Sequence, residues 1–267
     1  VGAWPLIVMI KKTMNNLLFN PCILIPVYNH EHALATMLDR LQNKELPIIL
    51  VDDGSDQHCR DAMIELANRD HIVKLIRLPQ NKGKGGALKA GFKVALDLGF
   101  SHALQIDADG QHDANDIDCF VTQGKKHSKA IICGYPIYDD SVPKHRFYAR
   151  YLTHIWVWIN SLSLTIKDSM CGFRCYPLQS IVELINSEST GNRMEFESEI
   201  MVRWVWRKGH VVNLPTRVSY PIDGVSHFSL WRDNALISTM HTRLFFGMLW
   251  RSPALLLRKL TAQHLDS

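Results

Sequence analysis

Ala103-Leu104-Gln105-Ile106-Asp107-Ala108-Asp109-Gly110-Gln111-His112 is the stretch on which the reading of this chain turns. Ala103 to Ile106 has the character of a buried strand end, and the chain becomes polar directly after it. In extended backbone, successive side chains point to opposite faces, so Asp107 and Asp109 project together while Ala108 points away. Gly110 lets the backbone turn, bringing the Gln111 carboxamide oxygen back towards the pair. Two carboxylates and one neutral oxygen make half of a hard-cation site. Mg²⁺ or Mn²⁺ favours such a set when a substrate phosphate completes the shell. A β-hairpin turning at Asp109-Gly110 accounts for the same residues. The stretch alone leaves both readings open.

Upstream, the same arrangement recurs. Pro21 to Val27 is β-rich and ends in Tyr28-Asn29-His30; Pro47 to Val51 is aliphatic and ends in Asp52-Asp53-Gly54-Ser55-Asp56; Val73 to Ile76 is a third strand. Glu31 to Leu41 carries Leu34, Met37, Leu38 and Leu41 on one helical face. Cys59 to Asn68 and Ala87 to Leu98 read as further helices, the latter entered through Asn81-Lys82-Gly83-Lys84-Gly85-Gly86. Aliphatic strands alternating with amphipathic helices predict an α/β fold with a mostly parallel sheet covered on both faces. Ligands bind such sheets beyond the carboxyl ends of the strands, where these polar motifs fall.

Asp52 and Asp53 can accept hydrogen bonds from a ribose hydroxyl or a base N–H, while Ser55 or Asp56 suits a helix N-cap. The glycine-rich segment matches neither the P-loop nor the dinucleotide fingerprint. It still offers phosphate a helix N-terminus with close backbone approach, and Lys84 could reach a diphosphate.

After residue 113 the alternation loosens. Ala130 to Gly134 reads as a strand, Arg146 to Leu164 as a long helix, Ser169 to Tyr176 as a bend and a strand, Phe196 to Lys208 as a helix, and His210 to Leu214 as a strand. Arg146 and Arg150 lie one helical turn apart, on a face that could receive a phosphate or simply be solvated. Glu195, Glu197 and Glu199 sit at a helix start, where carboxylates complement the dipole. The tail from His227 to Leu260 mixes Trp231, Phe245, Phe246 and Trp250 with Arg232, Arg243 and Arg251. Arg251 and Pro253 interrupt it, so it is a poor spanning segment. A basic amphipathic tail of this kind suits a bilayer interface, and a helix pair packed on the domain's own core fits equally.

The 267 residues suffice for one large domain, divided here as an extension at 1–20, a main domain at 21–225 and an amphipathic tail at 226–267. A net charge of +4 suits phosphorylated ligands or an anionic membrane surface and is too small for a nucleic-acid footprint. Thirteen histidines show no zinc spacing along a helix. Six cysteines without a CxxC pair predict free thiols and a reducing, cytosolic compartment. Leu6 to Ile10 is too short to cross a bilayer, and Lys11-Lys12 follow it in the reverse of a signal peptide's charge order. Met14 is an alternative start.

In order, Pro26-Val27-Tyr28-Asn29, Val51-Asp52-Asp53-Gly54-Ser55, Asn81-x-Gly83-x-Gly85 and Asp107-x-Asp109 resemble the GT-A glycosyltransferases of family 2. Asp107 to His112, followed by Asp168-x-x-Cys171-Gly172-Phe173-Arg174, is most similar to their dolichol-phosphate mannosyltransferase-like branch. The resemblance runs from about Pro21 to Tyr220. It implies a glycosyltransferase that moves a sugar from a UDP- or GDP-linked donor to a lipid-linked acceptor, inverting the sugar, on the cytoplasmic face of a membrane. It places Pro26, Tyr28, Asp52, Asp53, Lys84, Asp107 and Ala108 at the nucleotide sugar, and Asp107, Asp109 and Gln111 at Mg²⁺ or Mn²⁺. A lipid-phosphate acceptor needs arginines, for which Arg146, Arg150 and Arg174 are candidates; a hydroxyl acceptor needs a carboxylate base, for which Glu197, Glu199 and Asp168 are candidates. A degenerate nucleotide-sugar-binding scaffold is the alternative from another class. One departure is His30, where the family usually has Glu, and it bears on base preference.

Overall fold

The computed structural model describes residues 19–69, 71–137, 144–218 and 229–263, without the side chains of 144–149 and 262–263. Met14, most of the N-terminal extension, the 225/226 boundary and the Arg146 side chain lie outside the described residues. The first half is the expected alternation: β1 (Pro21–Val27), α1 (Glu31–Leu41), β2 (Ile48–Asp52), α2 (Gln57–Leu66), β3 (Ile72–Arg77), α3 (Lys84–Asp97) and β4 (His102–Gln105). Then follow α4 (Ile117–Lys126), β5 (Ile131–Ile137), α5 (Lys144–Ser161), β6 (Arg174–Pro177), α6 (Leu178–Ser187), α7 (Glu195–Trp206), β7 (Val211–Arg217) and α8 (Leu230–Gln263).

One seven-stranded sheet runs β3-β2-β1-β4-β6-β5-β7. Every pairing is parallel except those of β6, which lies antiparallel between β4 and β5. Alternate residues of the strands feed two apolar layers. Ile23, Ile25 and Leu50 join Leu34, Leu38, Met63 and Phe120 on one face, while Leu24, Ile49 and Val51 join Phe92, Ile181, Phe196 and Leu244 on the other. Strands apolar on both faces have no solvent side, which is why β1 and β2 read as continuous aliphatic runs. Helices α4 and α6 went unread, although Leu178, Ile181, Val182 and Ile185 keep a helical period.

The tail is one 34-residue helix and not the expected pair. Pro253 removes the N–H that the Leu249 carbonyl would have received, and the Ser252 hydroxyl donates to that carbonyl instead, at 2.9 Å. The helix continues past its proline. Met240, Leu244, Met248 and Leu255 are buried in the core, and Arg258 donates to the Trp206 carbonyl at 2.9 Å. No helix among the described residues is long and apolar enough to cross a membrane.

Where α8 meets α5, the buried His241 is hydrogen-bonded to Asn160, and burial pushes its pKa down to about 4. The folded state therefore resists a proton that the unfolded chain accepts near pH 6.5. Stability is full above that value and is lost as pH falls from 6.5 towards 4, by about 2 kcal/mol between pH 7 and pH 5. His241→Gln is expected to flatten that slope in urea unfolding at the two pH values.

Candidate active site

The sheet's carboxyl edge is assembled by loops that bond to one another. Asn29, with φ of 50°, donates its backbone N–H to Ser55 Oγ at 3.2 Å and accepts from the Asp56 N–H at 2.9 Å. Asp56 caps α2 by accepting from the Cys59 N–H. Asp52, fully buried at the end of β2, accepts from the Ser55 N–H at 2.8 Å and lies 3.3 Å from Arg77 Nε. Both oxygens of Asp53 accept backbone N–H groups, from Lys82 and Gly83, each at 2.8 Å. Gly83 has φ of 90° and would set a Cβ 2.5 Å from the Arg193 side chain, so the turn into α3 requires glycine. Pro26 pairs in register with Val51, and Tyr28 follows at the end of β1. Pro26, Tyr28, Asp52 and Asp53 thus share one edge, and the structure gives Asp53 a loop-holding task that sequence reading had not assigned.

Beyond β4 the acidic residues converge. Lys84, the first residue of α3, reaches both oxygens of Asp107 at 2.8 Å and Glu197 Oε1 at 2.9 Å. The buried Gln105 donates to the same Glu197 oxygen at 2.8 Å. His112 Nε2 stands 3.8 Å from Asp107, its ring against Phe173. The Gln111 backbone N–H donates to Asp109 Oδ1 at 3.1 Å, the turn anticipated at Gly110. Burial opposes ionisation of Asp107, but Lys84 and His112 outweigh it and hold the carboxyl below its usual range. Burial and the charge of Asp107 push Asp109 the other way, up. Ala108 is buried between them. Sequence reading missed Gln105 as a member of this cluster and left His112 as a neighbour; a polar side chain closing an apolar strand was the available sign for Gln105.

Gly172 explains part of the Cys171-Gly172-Phe173-Arg174 motif. A Cβ there would overlap the Asp107 carboxylate. Gly172→Ala is expected to cost about 1–3 kcal/mol as overpacking. By displacing Asp107 it should also weaken Mn²⁺ binding at least about tenfold, as read by calorimetric titration.

Three expected roles are corrected by the geometry. Arg174 is fully buried at the start of β6, donating to the Glu197 carbonyl at 2.8 Å and to Tyr176 Oη at 3.2 Å, so it braces α7 and does not face a substrate. Glu199 is fully buried and accepts from Arg203, Arg243 and the Gly191 N–H, which removes it as a base. Asp168 accepts two bonds from Arg150, at 2.7 and 2.8 Å, and two from the backbone N–H groups of Met170 and Cys171. Burial opposes its ionisation, but Arg150 and His154 hold it ionised well below the usual carboxylate range, which makes it a poor base. Arg150 is correspondingly turned onto Asp168, with which it forms a two-bond pair. All six cysteines are unpaired, as expected.

The donor set fits a hard divalent cation. Asp107 and Glu197 meet at the Lys84 ammonium, and Asp109, two residues beyond Asp107, gains in particular from added positive charge. The Gln111 carboxamide is beside this set in sequence, with only its backbone N–H bonded to Asp109.

The sequence model of glycosyl transferase family 2 matches residues 22–181, more than half of the chain. The chain belongs to glycosyl transferase family 2. It is therefore a glycosyltransferase, similar within the family to the dolichyl-phosphate sugar transferases. It is 28% identical over 214 residues to UDP-N-acetylglucosamine--dolichyl-phosphate N-acetylglucosaminyltransferase of Methanococcus voltae, covering 74% of this chain and 85% of that one. It is 27% identical over 194 residues to dolichyl-phosphate beta-glucosyltransferase of Dictyostelium discoideum, covering 65% of this chain and 58% of that one. Among solved structures, mannosyltransferase PcManGT of Pyrobaculum calidifontis, in complex with GDP-Man and Mn²⁺, superposes with a TM-score of 0.53 at 13% identity. That likeness covers 98% of this chain and 84% of the other and is one of fold, the GT-A arrangement.

Proposed function

We propose that this family 2 glycosyltransferase moves a sugar from a UDP- or GDP-linked donor to a polyprenyl-phosphate-like lipid, inverting the sugar by direct displacement, at a membrane surface. The observation that carries the proposal is the pairing of Asp107 and Glu197 with Lys84, with Asp109 following Asp107, set beyond the end of β4. The names of the Methanococcus and Dictyostelium relatives support the lipid phosphate as acceptor.

Asp107 and Asp109, with Gln111, would hold Mg²⁺ or Mn²⁺, which supplies Lewis-acid neutralisation of the departing diphosphate. Lys84 lies where it can pass from Asp107 to that diphosphate and add a second positive charge. Pro26, Tyr28, Asp52 and Asp53 would line the nucleoside, and Ala108, without a long side chain, leaves room beside the sugar. A lipid phosphate arrives already ionised, so it needs no base; Arg150 would receive it by exchanging Asp168 for phosphate, with Arg146 one turn away. A second reading, transfer to a hydroxyl with Glu197 as base, is favoured by the place of Glu197 beside Asp107; Glu199 has no part in it.

Residues 21–225 would form the catalytic domain, with α8 as a membrane-facing flank. Trp231 and Trp250 are 92% and 86% exposed, a degree that the packing of α8 does not explain. Trp156 of α5, 39% exposed, sits 6.3 Å from Phe245 between ring centroids and carries the apolar face across both helices. Aromatic side chains of this kind, with nearby arginines, suit the cytoplasmic surface of a bilayer. A thermal-shift panel of UDP- and GDP-sugars with Mn²⁺ tests the donor, because a bound ligand stabilises the native state. One base series is expected to raise the midpoint with Mn²⁺ and not without it. No shift with any nucleotide sugar would contradict the proposal.

A further inference from the structure

The amino ends of α1 and α2 bring together three side chains that the transfer reaction does not use. His32 Nε2 and His58 Nε2 each lie 3.8 Å from the same oxygen of Glu31. The three ligand-capable atoms are all within 4.8 Å of one another. Ligands about 2.1 Å from a tetrahedral ion stand roughly 3.4 Å apart, so each imidazole closes by a few tenths of an ångström on Glu31, and the two exposed rings by at most about 1.4 Å on each other. The two rings meet edge-on, with centroids 6.3 Å apart. Their side chains are 91% and 76% exposed, against 18% for Glu31, so an ion held here keeps an open, water-facing position.

The surroundings hold this set in place. The Asn29 bonds to Ser55 and Asp56 staple the two loops from which α1 and α2 start, fixing His58 relative to Glu31. Beneath them the fully buried Cys59 thiol lies near the Glu31 carboxylate. Outer contacts of that kind orient metal-binding groups. The three residues come from two helices, which is why no histidine spacing along one helix announced them.

We propose that Glu31, His32 and His58 form a second cation site, one that takes a zinc-class transition metal. Two imidazoles and a carboxylate suit Zn²⁺, Ni²⁺ or Cu²⁺ and discriminate against Mg²⁺, whereas the all-oxygen set at Asp107 and Asp109 has the opposite preference. The chain thus sorts two kinds of ion to two places. The ion at Glu31 ties the loop after β1 to the loop after β2, the latter beginning at Asp53, so its occupancy stiffens that part of the sheet edge.

The test is a calorimetric titration of the tag-free full chain with Zn²⁺ in excess Mg²⁺, with Co²⁺ absorption reporting the coordination. One site is expected, weakened at least tenfold in His32→Gln and in His58→Gln and retained in Asp109→Asn. Both histidines are exposed, so the thermal unfolding of the variants without zinc should match the parent chain. Unchanged zinc affinity in the double histidine variant, or its loss in Asp109→Asn, overturns the proposal. Neither nucleotide nor acceptor is present, so failure here leaves the glycosyl-transfer reading untouched.

Discussion

Lys84→Met should unfold about 3 kcal/mol more easily than the parent chain in metal-free buffer, and Mn²⁺ should return part of that loss. Lys84 stands between Asp107 and Glu197, at 2.8 and 2.9 Å, with its own side chain 16% exposed. Methionine keeps most of the volume and removes the charge, leaving two carboxylates to face each other without a counter-cation. Breaking a buried ion pair from one side costs about 3–5 kcal/mol, and the lower end applies because Asp107 keeps 21% of its side-chain surface. A divalent cation resupplies positive charge to the same carboxylates. Urea unfolding with EDTA and with Mn²⁺ gives both numbers. Equal stability of variant and parent in EDTA would show that the carboxylates do not depend on Lys84.

Asp109→Asn should lower transfer by about 10³-fold while leaving the fold as stable as before, or slightly more so. Asparagine keeps an oxygen for the Gln111 N–H, so the turn survives. The lost charge is one that the folded chain holds at a cost: burial and neighbouring Asp107 both push the Asp109 carboxyl up. A carboxylate whose charge its surroundings oppose fits a task in binding or catalysis better than one in folding. Turnover and the unfolding midpoint, measured on the same preparation, separate the two. A destabilised variant with normal turnover per folded molecule would assign Asp109 to structure.

Much of the fold was legible because local and global demands agree. Ile23 to Ile25 and Ile48 to Val51 are apolar at every position since both faces of the sheet are covered. The site was legible only in part. Asp107 and Asp109 announce themselves by period-2 spacing at a strand end, and Gly83 by opening a helix. The partners of carboxylates and arginines are set by tertiary packing, which sequence spacing does not encode. Arg174 looked like a phosphate ligand in a bend, yet its strand position buries it completely. Glu197 and Glu199 looked equivalent, but one reaches Lys84 at 2.9 Å and the other is consumed by Arg203 and Arg243. The tail packs Met240, Leu244, Met248 and Leu255 on the core and leaves Trp231 and Trp250 exposed.

A lipid-phosphate acceptor is distinguished from a lipid hydroxyl by where the transferred sugar goes. The full chain is incubated with Mn²⁺ and a labelled nucleotide sugar of the base that shifts its melting, in vesicles carrying either a polyprenyl phosphate or the matching polyprenol. Label should enter the lipid phase with the phosphate and stay out with the alcohol. Equal labelling of the alcohol, or release of free sugar with no lipid product, would rule out a lipid phosphate as the acceptor.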